Sequence, residues 1–445
     1  MSKAINFTEG NIKSQLIKFA IPAMTAMLMI MTFQFVDTYF ISMLGKKALI
    51  AMGFIGPIVM SVLNLLFGFG MAALNLSSKY VGQKKIEETK IVSSQILMIA
   101  IVFGILISIL GLIFCKDIFL QTGADQESMP MILKYMHIWF LAVPCVIYTI
   151  VGEKLFFAKG DSKTPRNSLV LSFLTNTILD PIFIFGFFII PATGIFGASL
   201  ATSLSRVVAV VYMTAKMLKG NMLCLDKRVF KNFKPLLNNV LKISATSSFY
   251  YILIGFFPVV LNKTISSISL DAIAGIGAAT KIEGFFIIIT IASAIALSTF
   301  VGQNIGVKNY SRIKKALNYV SNFGIIYSLA CSATFYLIGG SLVSIFTDNP
   351  EIIQYGKNYL LITSFSYMSH ILIMEGHALW SLMGKLKYSV ISALIQFISI
   401  SSSIYLGAYL FGINGAIIGL SLSKFLVGLH SYFKMKSTLK KLLVK

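Results

Sequence analysis

Long apolar stretches separated by short polar loops dominate this chain. A helix rises about 1.5 Å per residue, so about 20 apolar residues are needed to cross a hydrocarbon core. Stretches of that length predict helices at Leu16–Leu44, Ile50–Ser77, Ile91–Cys115, Met131–Phe157, Ser168–Ile190, Gly194–Met217, Ile243–Leu261, Ala272–Val301, Ala316–Val343, Asn358–Leu382, Tyr388–Leu410 and Ile413–Phe433. The expected fold is an all-α integral membrane protein with about 12 transmembrane helices.

The pattern repeats at half length. "KYVGQ", ending at Gln83, matches "TFVGQ", ending at Gln303. "GIFGASLATSLSR" from Gly194 matches "GINGAIIGLSLSK" from Gly412, down to the bases Arg206 and Lys424. Setting Tyr135 on Tyr359 also sets Gly152 on Gly376 and Gly160 on Gly384. Two six-helix lobes follow: an N-lobe over 1–217 and a C-lobe over 243–433. A polar linker at 218–242 joins them, and a basic tail fills 434–445. With six helices per half the lobes share one orientation, which predicts pseudo-two-fold symmetry along the membrane normal. Alternating access through a cavity is the usual consequence, and transport becomes the leading class.

Two acids break the apolar pattern. Asp37 sits in "FQFVDTYFISMLG" and Asp180 in "LTNTILDPIFIFGF", with Asn176 one turn earlier on the same helix face. Counting from the outer ends of their helices, Asp37, Asp180 and Thr202 all lie roughly 12–15 Å deep. An ionisable group at that depth costs several kcal/mol unless it has a partner or a ligand, and such groups mark ion or substrate paths. Two carboxylates, an amide and a hydroxyl suit a proton or a hard cation such as Na⁺. A structural pairing of the acids with Arg206 or Lys281 is the alternative. At the aligned C-lobe positions stand Ile404, Ile400 and Leu420, so the acids are confined to one lobe.

Composition changes one part of this picture. The net charge of +22 would suggest nucleic acid in a soluble protein. Here twenty-nine of the 38 bases fall on one set of loops and termini and only six on the opposite loops. That asymmetry predicts cytoplasmic termini in a multi-pass plasma (inner) membrane protein, and no nucleic-acid role. Four scattered cysteines and four scattered histidines offer no metal spacing. No phosphate-binding loop or nucleophile–base arrangement appears, so neither ATP drive nor an enzyme is expected.

These residues resemble the MATE (multidrug and toxic compound extrusion) family, prokaryotic type. "FAIPAMTAMLMIMTFQFVDTYFISMLGKKALIAMGF", the two "VGQ" motifs, "AKGDSKTP" and "NTILDPIFIFGF" carry the resemblance in order along both halves. It implies a secondary-active antiporter that exports cationic amphipathic compounds in exchange for H⁺ or Na⁺, without a cofactor, as a monomer in the lipid bilayer. Asp37, Asn176, Asp180 and Thr202 fall on the family's cation site, Pro22 on its helix-1 hinge and Tyr135 near a polar cavity position. Glu153 stands where many members carry Asn; it reads as a cavity carboxylate or as an interfacial acid beside Lys154. Glu283, at membrane depth in the eighth span, is a further substrate-cavity candidate. A flippase for lipid-linked precursors is the rival reading, but its anionic cargo would call for more cavity bases than Arg206, Lys281 and Lys424.

Overall fold

The structure, a computed structural model, describes residues 4–443, so Lys3 and Lys445, counted above among the bases, lie outside it. Thirteen helices are seen among the described residues: α1 (Ile12–Ser42), α2 (Lys46–Gly82), α3 (Ile86–Gln121), α4 (Met129–Ala158), α5 (Lys163–Phe185), α6 (Ile195–Lys219), α7 (Phe233–Gly255), α8 (Phe257–Ser266), α9 (Leu270–Gly306), α10 (Tyr310–Val343), α11 (Pro350–Ser364), α12 (Tyr367–Leu382) and α13 (Leu386–Leu443). They make twelve spans. α7 and α8 form one span broken at Phe256, just before Pro258, whose ring cannot sit inside a continuous helix without displacing a carbonyl. α11 and α12 form another, and α13 contains two, joined where Phe411 and Gly412 leave helical geometry. Several helices outrun their apolar stretches. α3, for instance, begins at Ile86 with Glu87 and Glu88 in its first turn, where carboxylates favour the helix dipole. Hydropathy alone therefore places the ends too far in.

The repeat is written in the backbone. α2 and α9 are each 37 residues long and start at Lys46 and Leu270, an offset of 224 residues. The offset places Lys84 on Lys308, and both have positive φ. The "VGQ" match is thus one turn out of register: Gln83 follows the end of α2, whereas Gln303 still lies inside α9. Gly194 and Gly412 share φ 60°, a left-handed turn that opens the last span of each half. Three residues on, Gly197 and Gly415 let paired helices touch backbone to backbone. A Cβ at either would run into a carbonyl, Phe183 O or Gly407 O, which are themselves 224 apart.

The chain divides into two compact units that differ from the sequence halves. One contains Thr25–Ser248 and residues 4–5; the other contains Asn6–Met24 and residues 249–443. α1 passes from the second unit to the first between Met24 and Thr25, and α7 passes the other way between Ser248 and Phe249. Local contacts explain both assignments. In the second unit Phe7 is fully buried between the rings of Phe19 and Phe300, with centroids at 5.5 and 5.6 Å. Its N–H donates to Gln303 Oε1 at 3.0 Å, and its carbonyl accepts from Arg312 Nε at 2.9 Å and Asn304 Nδ2 at 3.1 Å. In the first unit Ser248 Oγ donates to the Leu65 carbonyl of α2 at 2.6 Å.

Candidate functional site

In the first unit α1, α2, α4, α5 and α6 enclose a cavity of about 420 Å³. Asp37 lines it from α1, Tyr135 and Glu153 from α4, and Thr202 and Arg206 from α6. Asp180 and Asn176 stand just behind on α5, both with no exposure. Their spacing of four residues puts them on one helix face. The Asn176 side-chain amide accordingly donates to Asp180 Oδ1 at 3.1 Å and to Thr202 Oγ1 at 3.3 Å. Asp37 and Asp180 act on each other electrostatically, and Tyr135 lies within the field of both.

What this cluster lacks is donors. Asp37 Oδ1, Asp180 Oδ2 and Asn176 Oδ1 are buried and have no hydrogen-bond partner among the described residues. Buried oxygens without donors are costly, and a proton or a hard cation is what such oxygens accept. The pairing alternative is not what the structure adopts. Among the described residues Arg206 makes no ion pair with either acid; its guanidinium lies over the Phe33 ring, 5.9 Å from the centroid. Lys281 lies over Phe346, 5.6 Å from that centroid. Glu153 lines the cavity and pairs with Lys154 at 2.6 Å. Pro22 lies inside α1, two residues before Met24, where the helix leaves the second unit.

Glu283 lines a cavity of its own in the second unit, of about 430 Å³. It is buried and accepts a 2.9 Å hydrogen bond from the Tyr359 hydroxyl of α11. The two cavities are built from the same positions of the repeat. At the 224-residue offset, Ile30, Phe33, Asp37, Val59, Tyr135 and Val146 of the first correspond to Ile254, Phe257, Leu261, Glu283, Tyr359 and His370 of the second. In the last span of each half, where the offset is 218, Thr202 and Arg206 correspond to Leu420 and Lys424. Sequence reasoning missed this second polar cavity. The sequence offers Glu283 as a cavity residue but does not link it to Tyr359 and Lys424, which share its cavity only through tertiary packing. His377, which aligns with Glu153, is a packed core residue: its Nδ1 meets Ser389 Oγ at 2.6 Å and its ring lies 3.9 Å from that of Tyr250.

Comparison with known proteins agrees with this architecture. The MatE family model matches residues 22–182 and 246–406, two copies at the same offset of 224. A Shewanella oneidensis protein named as a FAD transporter is 25% identical over 426 residues, covering 94% of this chain and 93% of that protein. The Staphylococcus aureus multidrug export protein MepA is 25% identical over 426 residues, covering 95% and 93%. Among solved structures, the Vibrio cholerae MATE transporter VcmN superposes with a TM-score of 0.91 at 22% identity, covering 98% of this chain and 99% of that one, a likeness of fold. With the family model matched in both halves and twelve spans arranged as in its solved members, the chain belongs to the MATE family of membrane transporters.

Proposed function

We propose that the protein is a secondary-active exporter of cationic, amphipathic compounds, driven by the return of H⁺ or Na⁺ through Asp37, Asn176, Asp180 and Thr202. The carrying observation is the set of buried oxygens without donors at Asp37, Asp180 and Asn176, beside a cavity of drug size. The ion arriving from outside takes these oxygens and removes their attraction for a cationic substrate held near Tyr135 and Glu153. The substrate leaves outward, the protein reorients, and the ion is lost inward. Coupling requires only that ion and substrate bind the two states with different affinity. Pro22 has no N–H to complete the helical ladder, so α1 is weakest near the point where it changes units, which suits a hinge. The distribution of bases supports cytoplasmic termini in a plasma-membrane protein, and the protein acts there as a monomer.

A relative named as a multidrug export protein supports the substrate class. Another is named as a FAD transporter, and Arg206, which faces the cavity and among the described residues makes no ion pair with Asp37 or Asp180, gives an anionic flavin nucleotide a second reading. The test is uptake of a fluorescent organic cation into liposomes holding the purified protein, under a pH gradient or a Na⁺ gradient imposed separately. Uptake driven by either gradient is the expected result and names the ion. No cation flux under either, with flux of FAD instead, overturns the reading.

A further inference from the structure

The second unit's cavity has a charge pattern that the ion site does not use. Its wall is mostly apolar, and into it project one acid, Glu283 on α9, and one base, Lys424 on α13. Their opposite charges act on each other, yet among the described residues no ion pair joins them. Two further groups are short of partners. The Tyr367 hydroxyl and Gln396 Oε1 both belong to cavity-lining residues at least nine-tenths buried, and among the described residues neither has a hydrogen-bond partner. Separated opposite charges and unpaired buried dipoles in one small apolar space are unfavourable until something bridges them. A volume of about 430 Å³ lies within the range of ligand pockets.

We propose that this cavity is a second ligand site that takes a small aromatic zwitterion, with the ligand's ammonium group at Glu283 and its carboxylate at Lys424, within reach of the Tyr367 hydroxyl. Tyr359, donating to Glu283, orients the carboxylate toward the ligand amine. Phe257 and Leu261 supply the apolar wall for the aromatic part. This site goes beyond the ion-coupled reading of the first unit, whose cavity sets Asp37 and Glu153 against Arg206 and so favours net positive charge.

Two environment-sensitive fluorophores that differ by a single carboxylate test it: Nε-dansyl-lysine, a zwitterion, and dansylcadaverine, its decarboxylated cation. Their binding is measured by fluorescence titration on the purified full chain in nanodiscs. The wild type is expected to bind dansyl-lysine, and Lys424→Gln and Glu283→Gln each to weaken it by about tenfold, the loss of one charged contact. Lys424→Arg should retain it. Leu420→Trp, which fills the cavity without removing either charge, should abolish it, and Asp37→Asn should leave it unchanged. Residual dansylcadaverine binding in the second-cavity variants, and an unchanged thermal unfolding temperature in Asp37→Asn, show that the protein is folded. No binding of dansyl-lysine by the wild type, binding insensitive to both Lys424→Gln and Leu420→Trp, or binding lost in Asp37→Asn would each overturn the proposal. None of these results depends on whether the first unit couples to H⁺ or Na⁺.

Discussion

The two cavities occupy equivalent positions of one repeat, yet their acids stand on different walls. In the first, the acids of the ion site come from α1 and α5, with Tyr135, Glu153 and Arg206 facing the same space. In the second, aliphatic residues replace both acids, Leu261 for Asp37 and Ile404 for Asp180, and a carboxylate appears instead at Glu283, where the first cavity has Val59. The backbone elements that build the cavity are common to both: the left-handed glycines at 194 and 412, the close helix contacts at Gly197 and Gly415, and the tyrosines 135 and 359. Scaffold and chemistry therefore separate cleanly. The helix contacts cannot vary without collapse, whereas single cavity positions can exchange an acid for an aliphatic residue at no cost to packing.

The strongest way to break the comparison is to make the first cavity like the second. Asp37→Leu, the residue at its repeat position, is expected to reduce gradient-driven efflux by at least about tenfold, since a charged contact of about 1.5–3 kcal/mol is lost. Initial rates in liposomes check it, and rates within twofold of wild type would place the ion site elsewhere. Next in size is the shared scaffold. Gly197→Val and Gly415→Val should destabilise the protein alike, by about 1–3 kcal/mol each, because either side chain meets a neighbouring helix carbonyl. Thermal unfolding in detergent measures this, and a large effect at only one of the two sites would deny their equivalence.

A smaller effect is expected at Thr202, whose hydroxyl shares the Asn176 amide with Asp180. Thr202→Val removes one neutral hydrogen bond worth about 1 kcal/mol, so the half-saturating ion concentration should rise about fivefold. The smallest concerns the linker between the halves. Asp226 caps a short helical turn and bonds to Arg228, whose guanidinium holds the Asp226 carboxyl below its ordinary value. Because the folded value is the lower one, this contact contributes stability above the unfolded value of about 3.9, and that contribution is lost only as pH falls further. It is therefore constant from about pH 5 to 8, and Arg228→Ala should leave the pH profile of transport in that window unchanged.

Much of this was readable from residues alone. Apolar length gave the spans, the 194 and 412 segments gave the repeat, and a buried acid is conspicuous because hydrocarbon penalises it so heavily. Asp180 and Asn176 were also legible as neighbours, since i and i+4 share a helix face. The second cavity was not. Its polar groups come from α9, α11, α12 and α13, and no local spacing links residues that meet only through tertiary packing. The exchange of α1 and α7 between units was hidden for the same reason. Phe7 looks like an ordinary residue before the first span until Gln303, Asn304 and Arg312 are seen to hold its backbone.

The central claim is that the coupling ion and the cationic substrate compete for the acids of the first cavity. Ion release on substrate binding tests it most directly: tetraphenylphosphonium is titrated into the purified protein while proton release is followed by buffer-dependent heats and Na⁺ release with radiolabelled ion. The account predicts that wild type releases one of the two ions, that Asp180→Asn abolishes the release, and that Glu283→Gln preserves it. Release that persists in Asp180→Asn, or that disappears in Glu283→Gln, would contradict it.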